Sequence, residues 1–141
     1  MAEQRYHYLN AYEQQYFEWA GIEVVRALDG EAEVRMPVVP HHRGGGGTAA
    51  VNGGIGAYVF DGVMGTAVRS TWDDQVRGQV TMTMTIQYQR PLIAQDAVTA
   101  TARVTQRGRT AVYVEGMILN DAGEVSMTAS GIYHLFRTHA R

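Results

Sequence analysis

The chain of 141 residues contains no cysteine and no lysine; all 12 basic residues are arginine. Without cysteine, disulfides, thiolate metal sites and a cysteine nucleophile are excluded. Without lysine, so are Schiff-base chemistry and a P-loop lysine. The formal net charge is −2, which leaves no global case for nucleic-acid binding. No apolar run approaches the length of a membrane span, and the opening MAEQRYHYLNAYEQQ carries no apolar signal segment. The expectation is therefore a soluble protein of the cytoplasm. Hydrophobic residues are plentiful at 45% against 18% charged, enough to bury a core. The length suits one domain spanning residues 1–141. Glycine is also plentiful, at 16 residues, and it clusters.

Residues 6–19 carry Tyr8, Leu9, Tyr12, Tyr16 and Trp19 at spacings of three and four, which predicts an amphipathic helix closed by Ala20 and Gly21. Residues 22–28 and 31–37 alternate on either side of Asp29 and Gly30, a strong hairpin signal. Residues 37–51 hold two prolines and four successive glycines and read as a loop. Over residues 53–69, Ile55, Val59, Val63 and Ala67 recur at helical spacing, while Gly56, Gly62 and Gly65 each cost about 1 kcal/mol relative to alanine. Such a helix needs burial to form, and its small residues admit close neighbours on both sides.

Residues 70–78 read as an exposed connector. Residues 79–90 then alternate Val80, Met82, Met84, Ile86 and Tyr88 against Gln79, Thr81, Thr83, Thr85 and Gln87, a strand pattern ended by Pro91. Residues 97–105, 110–119 and 125–137 complete four successive strands. The order is helix, two strands, helix, four strands. One long antiparallel sheet curled around one apolar helix satisfies it, an α+β architecture.

The chemistry concentrates in VNGGIGAYVFDG, residues 51–62. Asn52 is a good N-cap, and Gly53 and Gly54 leave the first N–H groups of the helix uncovered, suited to developing negative charge. Asp61 sits among Tyr58, Val59, Phe60, Gly62, Val63 and Met64, a costly place for a carboxylate unless it is paired or used. A solvated Asp61, or one bonding a neighbouring loop, is the competing reading. Gly53 and Asp61 are eight residues apart, about 12 Å along one helix. One copy of the helix cannot offer both groups to one carbonyl, whereas two antiparallel copies can.

The spacing Asn52–Gly53–Gly54, six residues, Asp61 resembles the His-Gly-Gly…Asp motif of hotdog-fold acyl-CoA thioesterases, in particular the phenylacetate-degradation (PaaI-like) branch. TIQYQRPL (85–92) is similar to the family's strand ending in Tyr-x-Arg-Pro, and QRGRT (106–110) to its turn before the penultimate strand. The resemblance covers nearly the whole chain in order and spacing. It implies a hotdog fold and hydrolysis of an acyl- or aryl-acyl-CoA to acid and CoA, with no metal or redox cofactor and coenzyme A present only as part of the substrate.

In this family the Gly53 N–H polarises the thioester carbonyl, with Gly54 beside it, and Asp61 of the second subunit is general base or nucleophile. A hydroxyl at the place of Thr81 positions the water. The CoA phosphates would lie near Arg109 and Thr110, with Arg107 and Arg90 further candidates; guanidinium forks suit phosphate oxygens. The resemblance also implies a homodimer at minimum and a tetramer as a dimer of dimers.

Two positions depart from the family. Its histidine is Asn52 here, a competent cap. Its asparagine six residues earlier, which helps hold the thioester oxygen, is Gly46; losing an oxyanion donor typically costs on the order of 100-fold in turnover. A backbone N–H of the glycine loop is the alternative donor.

Two other readings stand beside the thioesterase. One is a hydratase or dehydratase of acyl thioesters, which needs a catalytic histidine; His41, His42 and His134 are available, none in a matching motif. The other is a non-catalytic acyl-CoA binding module, for which Gly46 is the best support. The pair His41 and His42 has no acidic ligand beside it in sequence and makes a poor metal site. Gly44 to Gly47 lacks the Gly-Lys-Ser/Thr of a phosphate loop. Ser70, Ser126 and Ser130 have no nearby His–Asp arrangement.

Overall fold

The structure is a computed structural model that describes residues 11–44 and 46–138, residues 11–14 by their backbone alone. Helix α1 (Ala11–Ala20) is followed by strands β1 (Glu23–Leu28) and β2 (Glu31–Pro37), a single 3-10 turn (Pro40–His42), and helix α2 (Gly53–Arg69). Four strands complete it: β3 (Val76–Tyr88), β4 (Ala97–Arg107), β5 (Ala111–Leu119) and β6 (Val125–Arg137). All six strands form one antiparallel sheet in the order β1-β2-β4-β5-β6-β3. This is the hotdog arrangement: a sheet wrapped around one long helix, with a short N-terminal helix.

The predicted elements agree closely with the observed ones. Helix α2 has the expected limits, and α1 ends where Gly21 turns the chain with φ 76°. Tyr8 and Leu9 of the predicted first helix lie outside the described residues, as does the side chain of Tyr12. Strand β3 begins at Val76 rather than at residue 79, so the connector is shorter than expected. Val76 is buried, which adds the hydrophobic gain of one more strand position.

Helix α2 lies across β2, β4 and β5 and carries Val59, Phe60, Val63, Met64, Ala67 and Val68 into the core. Each large side chain so buried stabilises the fold by about 1.5–3 kcal/mol, which offsets the poor intrinsic helicity of the glycines. The close approach needs glycine on the sheet as well. A Cβ on Gly131 of β6 would stand 2.7 Å from Met64 Cε and 3.0 Å from the Thr83 carbonyl oxygen.

Strand β3 departs from its simple alternation. Thr81 pairs with Tyr133 and Thr83 with Ile132, so Met82 is an extra residue, a β-bulge. Downstream of it Met84 and Ile86 face the helix and pack on the core, as the period of two predicts. Upstream the phase is reversed: Gln79 and Thr81 face the helix, and Val80 is exposed. The bulge thus turns onto α2 a stretch whose sequence reads as the polar outer face.

Candidate active site

The N-terminus of α2 is held by its cap. The Asn52 side chain accepts from the Gly54 N–H at 2.8 Å and donates through Nδ2 to the Gly44 carbonyl at 3.1 Å. The Asn52 N–H in turn donates to the His42 carbonyl at 2.8 Å. The Gly53 N–H makes no hydrogen bond among the described residues, as expected for a first-turn donor. Tyr88 closes over this end, its hydroxyl donating to the Gly53 carbonyl at 3.0 Å.

The glycine loop rises beside that cap. Arg43 pins its base, donating to the carbonyls of Ala49 at 3.0 Å and Ala94 at 2.8 Å. Gly46 sits exposed in the loop with φ 63°, and a Cβ there would meet nothing within 4 Å.

Asp61 lies two turns further along α2. Its Oδ1 accepts two hydrogen bonds, from Thr81 Oγ1 at 2.8 Å and from the Tyr133 hydroxyl at 3.1 Å; its Oδ2 accepts none among the described residues. Tyr133 is buried, and its ionisation is pushed well above the ordinary tyrosine value, first by burial and then by the Asp61 charge. Tyr16 of α1 stacks on Tyr58 at 4.9 Å between ring centroids and donates to the Tyr58 carbonyl at 2.9 Å. Burial, with the Asp61 charge second, raises its ionisation too. Both phenols are therefore favoured in the protonated, donating form.

A cavity of about 180 Å³ opens beside Asp61. Its floor is one face of α2, where Asp61, Gly62, Gly65, Thr66 and Arg69 follow each other at helical spacing. Tyr16 and Phe17 wall it from α1, and Val80, Thr81 and Tyr133 from the sheet. Among the described residues no histidine lines it: His42 is buried at the 3-10 turn, its Nδ1 accepting from the Val39 N–H at 3.2 Å, and His134 contacts Phe136 instead.

The arginines named from the sequence fall into two groups. Arg107 donates to Thr71 Oγ1 at 3.0 Å and approaches Asp73 at 3.4 Å, and Arg90 pairs with Glu124 at 2.6 Å, so each has a partner in its own chain. Arg109 makes no side-chain bond among the described residues. Together with Thr110 it lines a second cavity, of about 340 Å³, with His134, Phe136 and Arg137. Asp73, which the sequence leaves as a solvated carboxylate, accepts from Arg137 at 2.6 Å, and that bond holds it below the usual carboxylate range. Glu115 likewise pairs with Arg103, at 2.9 Å.

Tyr133 and Tyr88 are the neighbours of Asp61 and Gly53 that sequence reasoning did not single out for the candidate site. Tyr88 is one of the strand's alternating residues, and Tyr133 lies 72 residues from Asp61. No local pattern marks Tyr133; only the pairing of β6 with β3 brings it to the helix. Among the described residues no group of three His, Asp or Glu could hold a metal ion, and no helix is long and apolar enough to cross a membrane.

Comparison with known proteins bears directly on this geometry. Residues 49–127, which contain the cap, α2 and β3 to β5, match the model of the thioesterase superfamily. A conserved protein of Pseudomonas aeruginosa has a similar structure, with 29% identity and a TM-score of 0.78 over 96% of this chain and 100% of that one. The E. coli PaaI protein from the phenylacetic acid degradation operon is 25% identical, with a TM-score of 0.79 over 94% of this chain and 96% of that one. A Bacillus halodurans protein whose structure contains CoA is 28% identical, with a TM-score of 0.76 over 98% and 86% of the two chains. Curated proteins yield no match. With a capped, glycine-fronted helix inside its six-stranded wrap and a carboxylate two turns along, the chain belongs to the thioesterase superfamily, as a hotdog-fold member of PaaI-like type.

Proposed function

We propose that the protein is an acyl-CoA thioesterase, hydrolysing an acyl- or aryl-acyl-CoA to the free acid and CoA at a site shared by two copies of the chain. One observation carries this reading: a bare Gly53 N–H and a cavity-lining Asp61 on a single helix, about 12 Å apart along its axis. Each is a half-site, and an antiparallel partner helix supplies the other half. The edge strand β3 offers a route to that partner. It is 13 residues long, pairs on one side only with β6, and exposes Val80 and Met82, the latter at 64%. A long exposed edge of this kind invites pairing with a second copy.

In the reaction the thioester carbonyl takes its polarisation from the Gly53 N–H of one subunit, with Asn52 holding the helix end and Gly54 keeping it open. Water adds to the carbonyl carbon, the C–S bond breaks, and CoA leaves as the thiol. Asp61 of the other subunit either accepts the proton of that water or attacks first as a carboxylate; both are consistent with a free Oδ2. The chemistry calls for no metal or redox cofactor. Arg109 and Thr110, at the mouth of the second cavity, are the groups best placed for CoA phosphates, and the CoA bound by the Bacillus halodurans protein supports such a ligand. Pairing of two dimers into a tetramer and a location in the cytoplasm complete the reading.

A non-catalytic binding module is the second reading. It is favoured by Gly46, which offers no side chain where the family places an oxyanion donor. Thiol release from short, long and aromatic acyl-CoAs, measured beside Asp61→Ala, separates the two. The thioesterase predicts turnover that falls by about 100-fold or more in the variant while the dimer persists. Tight CoA-ester binding without turnover in the parent protein selects the binding module, and water addition to an enoyl-CoA selects a hydratase.

A further inference from the structure

We infer that Tyr133 is a positioning residue for Asp61: with Thr81 it clamps Oδ1 and so makes Oδ2 the oxygen that reacts. This assignment rests on the thioesterase reading for its catalytic meaning but on geometry alone for the clamp. Asp61 Oδ1 accepts from Thr81 Oγ1 at 2.8 Å and from the Tyr133 hydroxyl at 3.1 Å, and the same hydroxyl lies 3.3 Å from the Asp61 carbonyl oxygen. Thr81 and Tyr133 are direct cross-strand partners on β3 and β6, so the two donors are held at one level of the sheet. Tyr133 is only 2% exposed, and its ring has little room to swing away. Oδ2, without a bond among the described residues, is left for the cavity that Asp61 lines.

The arrangement has a chemical consequence. A carboxylate free to rotate presents either oxygen, and its torsion is soft. Two donors on one oxygen hold the plane and fix which lone pairs meet water or the thioester carbon. Whether Oδ2 takes a proton or forms a bond to the acyl carbon, Oδ1 becomes the carbonyl oxygen and keeps both hydrogen bonds. The clamp therefore holds through the reaction. It also assigns Thr81 to the carboxylate first, a task distinct from positioning the water.

The test compares Tyr133→Phe with the parent dimer, by kinetics on phenylacetyl-CoA and hexanoyl-CoA and by a crystal structure of the variant. The clamp predicts that kcat falls by about tenfold or more while KM stays within about twofold, as for the loss of a hydrogen bond to a charged group that acts after substrate is bound. It also predicts that the Asp61 carboxylate turns or takes a second orientation while Thr81 and the backbone stay in place. A single unchanged carboxylate orientation in the variant overturns the clamp, whatever the activity. Should the parent hydrolyse neither ester, the thioesterase reading loses its support while the crystal structure still decides the clamp. Should Tyr133→Phe not fold, Thr81→Ala removes the other donor, and Thr81→Ser is expected to restore both the orientation and the rate.

Discussion

Tyr88 and Gly53 are fitted to each other at the start of α2. The tyrosine hydroxyl donates to the Gly53 carbonyl at 3.0 Å, and a Cβ on Gly53 would stand 3.0 Å from Tyr88 Cε1 and 3.4 Å from its hydroxyl oxygen. Glycine suits this position for two reasons. It leaves the N–H open, and it admits the ring that ties β3 to the start of α2. The 17-residue helix from Gly53 to Arg69 is held at its start by this contact together with the Asn52 cap.

Substituting Gly53 by alanine places a methyl group against that ring. Tyr88 is 59% exposed and can yield, so the fold survives with a loss of about 1 kcal/mol or less. The methyl group beside the open N–H costs more in activity. Turnover is expected to fall by about tenfold or more, with the thermal midpoint changed by only a few degrees. Steady-state kinetics beside a melting curve check both parts; because alanine keeps the backbone N–H, an unchanged kcat would show that a methyl group at position 53 does not obstruct the oxyanion donor.

Gly46→Asn introduces the asparagine that the family resemblance implies at this position. The position has φ 63°, which asparagine adopts more readily than other residues with a Cβ, and the space around it is open. The variant should therefore fold with stability close to the parent. If the thioester oxygen lacks a donor in the present chain, kcat rises, by as much as about 100-fold if the new amide reaches it. A rate that stays level or falls indicates that backbone N–H groups of the loop already serve.

The pH dependence of stability is expected to carry a contribution from His42. Burial, with the neighbouring His41 second, lowers its proton affinity below the ordinary histidine value of 6.5. The unfolded chain then binds a proton that the folded chain resists. The stability associated with neutral His42 is present above about pH 6.5 and is lost as pH falls through that value toward the lower folded one. Protonation of Nδ1 also removes the bond it accepts from the Val39 N–H at 3.2 Å. Thermal melts from pH 8 to pH 5 should show a falling midpoint, and His42→Gln should flatten the slope across that range. An identical slope in the variant would assign the acid sensitivity elsewhere.

Most elements of the fold are legible in the sequence because their signals are local. The Asp29 and Gly30 hairpin, the Asn52 cap and the limits of α2 each follow from side-chain chemistry within a few residues. The same holds for the separation of Gly53 and Asp61, since helix rise converts their spacing into distance without knowledge of the rest. The phase of β3 does not. Its residues alternate without a break from Gln79 to Tyr88, and nothing in that pattern announces that Met82 is an extra residue in the ladder. A bulge is a property of two strands in register, so it has no signature in one of them.

By itself, then, the sequence determined which helix carries the Asn52 cap, where its open end lies and that Asp61 stands two turns along it. Local backbone preference and the periodicity of side chains are enough for each. Only the tertiary structure decided how that carboxylate is held. It is the bulge at Met82 that turns Thr81 inward, and the pairing of β6 with β3 that brings Tyr133 across 72 residues to the same oxygen. Those contacts depend on packing between distant strands, where the burial of the whole core, rather than any short run of residues, sets the register.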